Sequence, residues 1–321
     1  MELIRGLHNV KPGHCVLTIG NFDGVHLGHQ ALIAATIARA RQLSLPATLL
    51  SFEPSPREYF AKANCARIST LRSKRLDLAR LGVDRWVIQR FDRRFAAYDP
   101  TAFVREALVG KLGIRGLIVG DDFRFGARRA GDLALLECEG RQLGFEISAL
   151  GSVLSEGQRC SSTLIREALA RADLDAAARM LGRPYVMVGR VKSGLRLGRT
   201  LNMPTANVYM QRQPALRHGI YVVELTVLGP GGGVAQPGVA NLGVRPTLGL
   251  TRCLLETHVL HGSPDLYGKT VEVRFRQFLR PEERFDSLDA LAVQMQRDKA
   301  DALAFFDAPG QPHGADRPQP A

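Results

Sequence analysis

Ten residues, Gly20-Asn21-Phe22-Asp23-Gly24-Val25-His26-Leu27-Gly28-His29, limit what this chain can fold into more than any other stretch. They follow an apolar run, Cys15-Val16-Leu17-Thr18-Ile19, that reads as a buried strand, and they lead into Ala31-Leu32-Ile33 and Ile37-Ala38, which take up helical spacing. Strand, glycine-rich turn and helix therefore succeed one another within a few residues. The start of such a helix leaves backbone N–H groups unpaired and its dipole favours an anion, so phosphate is the natural guest. His26 and His29 sit at that mouth at i and i+3, able to face the same way, and Gly28 between them removes the side chain that would hold a phosphate off the backbone. Donors so placed suit charge on a pentavalent phosphorus better than removal of a proton.

Plainer readings compete. A histidine pair can hold a metal, but zinc calls for a third and fourth ligand, Cys15 lies inside the strand, and the chain contains no Cys-x-x-Cys. One of the two can also be an ordinary helix cap. H-x-G-H is short, so its weight comes from its place after a strand and from the residues that join it.

A length of 321 residues predicts two domains, with apolar residues enough for two cores. No early apolar segment reads as a signal peptide and none is long enough to span a bilayer, so the expectation is a soluble, cytoplasmic protein without a membrane partner. Cys15, Cys65, Cys138, Cys160 and Cys253 are odd in number and scattered, as free thiols in a reducing compartment would be. The formal charge of +12 admits nucleic acid, a membrane surface or small polyphosphates. The arginines are dispersed rather than gathered in a run or interleaved with aromatics, which argues against nucleic acid.

The first half alternates strand and helix patterns. Apolar runs at Ala47–Phe52, Trp86–Gln89, Leu117–Val119 and Phe145–Leu150 predict buried strands, with helices near Ala31–Gln42, Leu71–Leu81, Pro100–Lys111 and Asp132–Leu143. This is an α/β pattern, a parallel sheet with helices on both sides, in which ligands bind beyond the carboxyl ends of the strands. Those ends carry Phe52-Glu53-Pro54-Ser55-Pro56-Arg57-Glu58, then Gly120-Asp121-Asp122-Phe123, then Cys160-Ser161-Ser162-Thr163-Leu164-Ile165-Arg166. Ser162 or Thr163 can cap a helix and Arg166, one turn on, can meet phosphate bidentately. Each alone reads as a turn, a cap or a solvated charge; together with H-x-G-H they point to one site. The basic, glycine-bearing stretch Arg124–Gly131 reads as a flap over a polyphosphate or as a solvent-exposed loop.

After Asp173–Leu181, closed by Gly182-Arg183-Pro184, β-rich runs take over at Tyr185–Val191, Gly219–Leu228, Val239–Leu242, Leu254–Leu260 and Thr270–Phe278. They predict a small antiparallel barrel, followed by a helix from Leu288 to about Phe306 and a disordered Pro/Gly tail. The predicted division is 1–183, 184–307 and a tail over 308–321. Within the β half, Gly189-Arg190-Val191-Lys192-Ser193-Gly194 and Leu197-Gly198-Arg199-Thr200 form a basic loop, before Pro204-Thr205-Ala206-Asn207 and, later, Leu255-Glu256-Thr257-His258. Alone, Thr205 and Asn207 read as turn residues and Glu256 as a solvent-facing strand residue.

G-x-F-D-x-x-H-x-G-H, F-E-P-x-P-R-E, V-G-x-D-F-x-F-G and S-S-T-x-I-R, in this order, resemble the Rossmann-like nucleotidyltransferase module of bacterial bifunctional riboflavin kinase/FAD synthetases. The run G-R-V-x-x-G-x-x-x-G-R-T-L-x-x-P-T-A-N resembles the riboflavin kinase module of the same family, and Gly243-Val244-Arg245-Pro246-Thr247 and Asp265-Leu266-Tyr267-Gly268 extend the likeness. The resemblance covers nearly the whole chain apart from the tail. It implies phosphorylation of riboflavin to FMN, then transfer of AMP from ATP to FMN to give FAD and pyrophosphate, each step with Mg2+ and ATP. It implies that His26 and His29 contact the ATP phosphates within a nucleotide site that includes Gly20, Phe22, Asp23, Gly28 and Asp122. Ser162, Thr163 and Arg166 would hold the triphosphate. In the kinase module it implies Gly189, Gly194, Gly198, Arg199 and Pro204 around ATP and flavin, Thr205 and Asn207 on magnesium, and Glu256 as base on the terminal ribityl hydroxyl. The sequence departs from the family at Ser55, where histidine is usual, and at Asn202-Met203, where Gly-Phe is usual. A chain with one surviving activity, or a non-catalytic nucleic-acid or regulatory binding protein, stays open as an alternative, as does the oligomeric state.

Overall fold

The computed structural model describes residues 1–61, 65–192, 205–229, 233–244, 253–262 and 264–308. Two compact units emerge: Met1–Cys65 with Lys74–Ser161, and Ala66–Ser73 with Ser162–Ala321. The helices Ser162–Ala170 and Leu174–Leu181 pack on each other and belong to the second unit.

The first unit is a parallel sheet. Its strands are β1 (Glu2–Arg5), β2 (Cys15–Ile19), β3 (Ala47–Glu53), β4 (Arg85–Arg90), β5 (Ile114–Gly120) and β6 (Glu146–Leu150), in the order β1-β4-β3-β2-β5-β6. Every pairing is parallel. Side chains alternate between two helical layers. Val16 and Ile118 pack under the helix Leu27–Gln42 with Ala40. Leu17, Ile19, Leu117 and Val119 pack on the other face with Phe103, Val104, Leu108 and Leu136. The β2–β5 predictions hold to within a few residues, and features not foreseen include edge strand β1, the short helices Pro56–Ala61 and Arg93–Ala96, and a hairpin of β7 (Leu154–Ser155) and β8 (Gln158–Arg159). The run predicted as a buried strand over Phe145–Leu150 is instead a largely exposed edge strand, with only Phe145 buried; among the described residues β5 is its one neighbour.

The order of this sheet fixes where a ligand can lie. From β2 the chain steps outward to β3 and β4, then crosses back to lay β5 on the opposite side of β2. The reversal opens a crevice at the carboxyl end of β2, and that end is Ile19, the residue before Gly20.

The second unit holds six antiparallel strands, β9 (Val186–Arg190), β10 (Thr205–Tyr209), β11 (Gly219–Leu228), β12 (Gln236–Val244), β13 (Cys253–Val259) and β14 (Thr270–Arg280), ordered β10-β13-β12-β11-β14-β9. The ends nearly meet: Lys192 N–H donates to the Asn207 carbonyl at 2.9 Å, so the sheet closes toward a barrel. One face of the register, Val208, Leu255, Leu242, Tyr221, Val223, Phe275 and Val273, is buried and fills the interior. The helix Leu288–Asp307 covers part of the outer face, where Ala302 and Phe306 pack on Ile220, Val222 and Val239. Thr205 and Asn207, which alone read as turn residues, lie in strand β10. The predicted tail lies outside the described residues from 309 on.

Candidate active sites

Between β2 and the helix Leu27–Gln42, the turn is wound against its side-chain preferences. Phe22, Gly24 and Val25 have φ of +49°, +86° and +44°, a region that only glycine enters cheaply. Phe22 and Val25 are buried, so core packing holds the strained path. The helix starts at Leu27, earlier than its apolar spacing indicated, which makes His26 the N-cap and puts Gly28 and His29 in the first turn. The His29 N–H donates to His26 Nδ1 at 3.4 Å, so the plain capping reading is realised alongside any other. The two imidazoles stack with centroids 3.6 Å apart and planes at 22°, and the Phe22 ring tilts against His29 at 5.0 Å. Gly28 leaves room beside the stack: a Cβ there would stand a tight 3.2 Å from His26 Cε1 and 3.6 Å from the Cys160 carbonyl. Cys160 therefore lies beside the histidine turn within the first unit.

Asp23 is buried in the same turn. Asp122 lies just past β5, exposed, with its carboxylate 2.6 Å from the Arg159 guanidinium of the β7–β8 hairpin. Arg124–Gly131 is a closed loop: Phe125 and Gly131 exchange two backbone hydrogen bonds, and Arg128 and Arg129 stand exposed at φ of +53° and +58°. In the second unit, Ser162, Thr163 and Arg166 share the helix Ser162–Ala170. Arg166 Nε donates to the Ala66 carbonyl at 2.9 Å and Nη1 to the Ser162 carbonyl at 3.1 Å, so part of its fork is committed to backbone.

On the barrel, register does what sequence spacing cannot. Glu256 of β13 lies directly opposite Asn207 of β10 on one side and Asn241 of β12 on the other, and His258 lies opposite Thr205. Directly opposed residues project to the same face, so Thr205, Asn207 and Glu256 are brought together on the outer wall. Asn207 Nδ2 donates to the Thr205 carbonyl at 3.3 Å, which leaves its amide oxygen as the free end. A hydroxyl and an amide oxygen suit a hard cation such as Mg2+, which takes oxygen ligands and keeps several waters. Among the described residues no group of three or more His, Cys, Asp or Glu could hold a metal. Gly189 lies in β9 at the closing seam, and Gly194, Gly198, Arg199 and Pro204 lie outside the described residues.

Residues 8–164 match the FAD synthetase family and residues 181–306 the riboflavin kinase family. A protein of Escherichia coli K12 named bifunctional riboflavin kinase/FMN adenylyltransferase is 46% identical over 310 residues, 95% of this chain and 98% of its own length. The chain belongs to the bifunctional riboflavin kinase/FMN adenylyltransferase family. A relative of that name from Haemophilus influenzae is 44% identical over 312 residues, 96% of this chain and 100% of its own. A crystal structure from Streptococcus pneumoniae, described as a macrolide-efflux protein, superposes with a TM-score of 0.76 at 25% identity, covering 94% of this chain and 99% of that one. Among the described residues here no helix is long and apolar enough to cross a membrane.

Four features that bear on a riboflavin kinase/FMN adenylyltransferase site escaped the sequence. Lys74 is buried and its Nζ donates to the Asn21 carbonyl at 2.6 Å, tying a distant helix to the histidine turn. Ser55 and Glu58 exchange hydrogen bonds, Ser55 N–H to Glu58 Oε2 at 2.8 Å and Glu58 N–H to Ser55 Oγ at 3.3 Å. This capping box starts the helix Pro56–Ala61, giving the residue that stands in place of the usual histidine a local task. At the carboxyl ends of β3 and β4, Phe52, Tyr59, Phe60, Phe91 and Phe95 form a continuous cluster with centroids 5.2 to 5.8 Å apart, and Phe60 is 64% exposed. Finally, Asn241 interrupts an apolar strand, the one signal of it that the sequence contained.

Proposed function

We infer that this chain makes FAD from riboflavin in two steps: phosphorylation of riboflavin to FMN, then adenylylation of FMN with release of pyrophosphate. ATP is the co-substrate of both, and the family's usual divalent ion is Mg2+. The identity across 95% of the chain to an enzyme named for both activities carries this reading. The chemistry is assigned to residues 1–183 for adenylylation and 184–307 for the kinase, in line with the two family matches. Five free cysteines suit a cytoplasmic setting.

In adenylylation the attacking group is the FMN phosphate, already anionic near neutral pH, so no general base is needed. What lowers the barrier is alignment and neutralisation of charge on the α-phosphoryl oxygens. His26 and His29 are the donors assigned to that charge. Gly20, Phe22, Asp23, Gly28 and Asp122 shape the nucleotide site, and Ser162, Thr163 and Arg166 take the leaving pyrophosphate. The aromatic cluster headed by Phe60 offers a π-face for the flavin ring.

In the kinase step the attacking group is an alcohol, which must lose a proton as it attacks. Glu256 is assigned that proton, and Thr205 and Asn207 the metal side of the site. When bound, the cation neutralises charge between the ATP phosphates. Gly189, Gly194, Gly198, Arg199 and Pro204 are assigned to the surrounding ATP and flavin contacts. Incubating the purified chain with riboflavin, ATP and magnesium and separating the flavins by chromatography tests the whole reading: FMN accumulates first and FAD follows. If neither product forms, the reading is wrong; FMN alone would leave a kinase only.

A further inference from the structure

The row on the outer wall of the barrel has a third member. Asn241 is directly opposite Glu256 across β12 and β13, as Asn207 is across β10 and β13, so the carboxylate is flanked by an amide on each side. Neighbouring members of such a row stand about 4.5–5.5 Å apart at Cβ. Asn241 Oδ1 is buried and has no hydrogen-bond partner among the described residues. On its far side the opposed residue is Ile220, part of the apolar cluster under the C-terminal helix. Two residues along β12, the backbone of Gly243 is approached by the carboxylate of Glu282, and a Cβ at that position would collide with it. The residues directly opposed to Asn241 are thus an apolar side chain and a carboxylate, with the Glu282 carboxylate two residues along the strand and His258 one diagonal step away, and an ionised carboxylate donates no hydrogen bond. A buried acceptor without a donor destabilises a fold unless a donor arrives with a ligand.

We propose that Asn241 is a specificity residue of the kinase site, whose amide oxygen accepts a hydrogen bond from the ribityl hydroxyl next to the one that is phosphorylated. The proposal rests on Glu256 serving as the base of the kinase step. A polyol presents donors on adjacent carbons, so a terminal hydroxyl held by Glu256 brings its neighbour within reach of the next residue in the row. The contact checks that the chain being phosphorylated is hydroxylated at that carbon, and it orients the terminal oxygen.

The test uses the full chain, riboflavin, and the analogue that lacks only the hydroxyl adjacent to the terminal one. The wild-type chain should phosphorylate the analogue with kcat/KM lower by roughly tenfold to a hundredfold. N241L, close in shape but without the acceptor, should lose the same factor on riboflavin and lose no more on the analogue. FMN adenylylation by the same preparations should be unchanged, which reports that the chain is folded. N241D keeps the acceptor oxygen and places a second negative charge beside Glu256. It should therefore hold its discrimination between the two flavins. A wild-type chain indifferent to the missing hydroxyl, an N241L that handles riboflavin normally, or losses that multiply instead of overlapping would each overturn the proposal. A kinase still fully active as E256Q would instead remove the base reading on which it rests.

Discussion

At Gly28 the absence of a side chain leaves room beside two stacked histidines. The stack of His26 on His29 puts two imidazoles at the positive end of a helix, and any Cβ at Gly28 would press on the lower ring at 3.2 Å. H29A should therefore lower FMN adenylylation by about 10²–10³-fold while leaving riboflavin phosphorylation intact. E256Q should do the reverse, cutting the kinase step by about 10²–10⁴-fold. Both are read by following FMN and FAD separately in one assay, and equal damage to both steps from either change would contradict separate sites. Asp132 supplies a pH-dependent prediction. The Leu135 N–H, which its carboxylate caps at 3.0 Å, and then the Arg124 guanidinium at 2.9 Å hold its pKa below the ordinary carboxylate value. A depressed acid contributes stability above its unfolded pKa, about 4, and loses it as pH falls through the lower folded value. D132N cannot titrate, so its urea midpoint should fall less between pH 5 and pH 2.5 than that of the wild-type chain.

Among the elements, the seam between β9 and β10 is the most sensitive. Gly189 faces the barrel interior, where any Cβ would collide with Val208 Cγ1 of β10. Glycine is there because two strands that are not hydrogen-bonded neighbours along the sheet must approach closely for the barrel to close. G189V should cost about 1–3 kcal/mol, visible as a lower denaturant midpoint for loss of kinase activity, with adenylylation lost at an unchanged midpoint. The sequence marked Gly189 as a ligand-loop glycine, whereas its local task is steric. Strand β10 shows why such assignments are hard from one dimension: Thr205-Ala206-Asn207 alternates polar and apolar over too few residues to be told from a turn. Only its pairing with β13, Asn207 against Glu256, identifies it. The edge strand Glu146–Leu150 misled in the opposite direction, because apolar content alone does not say how many neighbours a strand will have.

For the whole molecule, the thiols give a global readout. Burial pushes the Cys15 thiol up to about 11 and the Cys253 thiol up to about 12, and burial raises Cys160 as well. At pH 8 all three stay protonated and enclosed, while Cys138 is exposed and Cys65 half-buried. An aromatic disulfide reagent should label Cys138 rapidly and Cys65 more slowly, and reach Cys15, Cys160 and Cys253 only after denaturant. Early labelling of all five would show the packing of both units to be wrong.

The local order of strand, turn and helix was written in the sequence, because hydrophobic periodicity and glycine placement act over a few residues. The motifs that carry the family resemblance, with His26, His29, Thr205, Asn207 and Glu256 in them, were legible there too, because they are contiguous in the chain. Which residues stand side by side was decided only in three dimensions. The reversal of strand order beside β2 opens a crevice at the end of that strand, and the barrel register sets Asn241 next to Glu256. Lys74 reaches the Asn21 carbonyl from a helix fifty residues away in the chain. Pairings between distant strands follow from how layers pack and sheets close, and that information is spread over the whole chain at once.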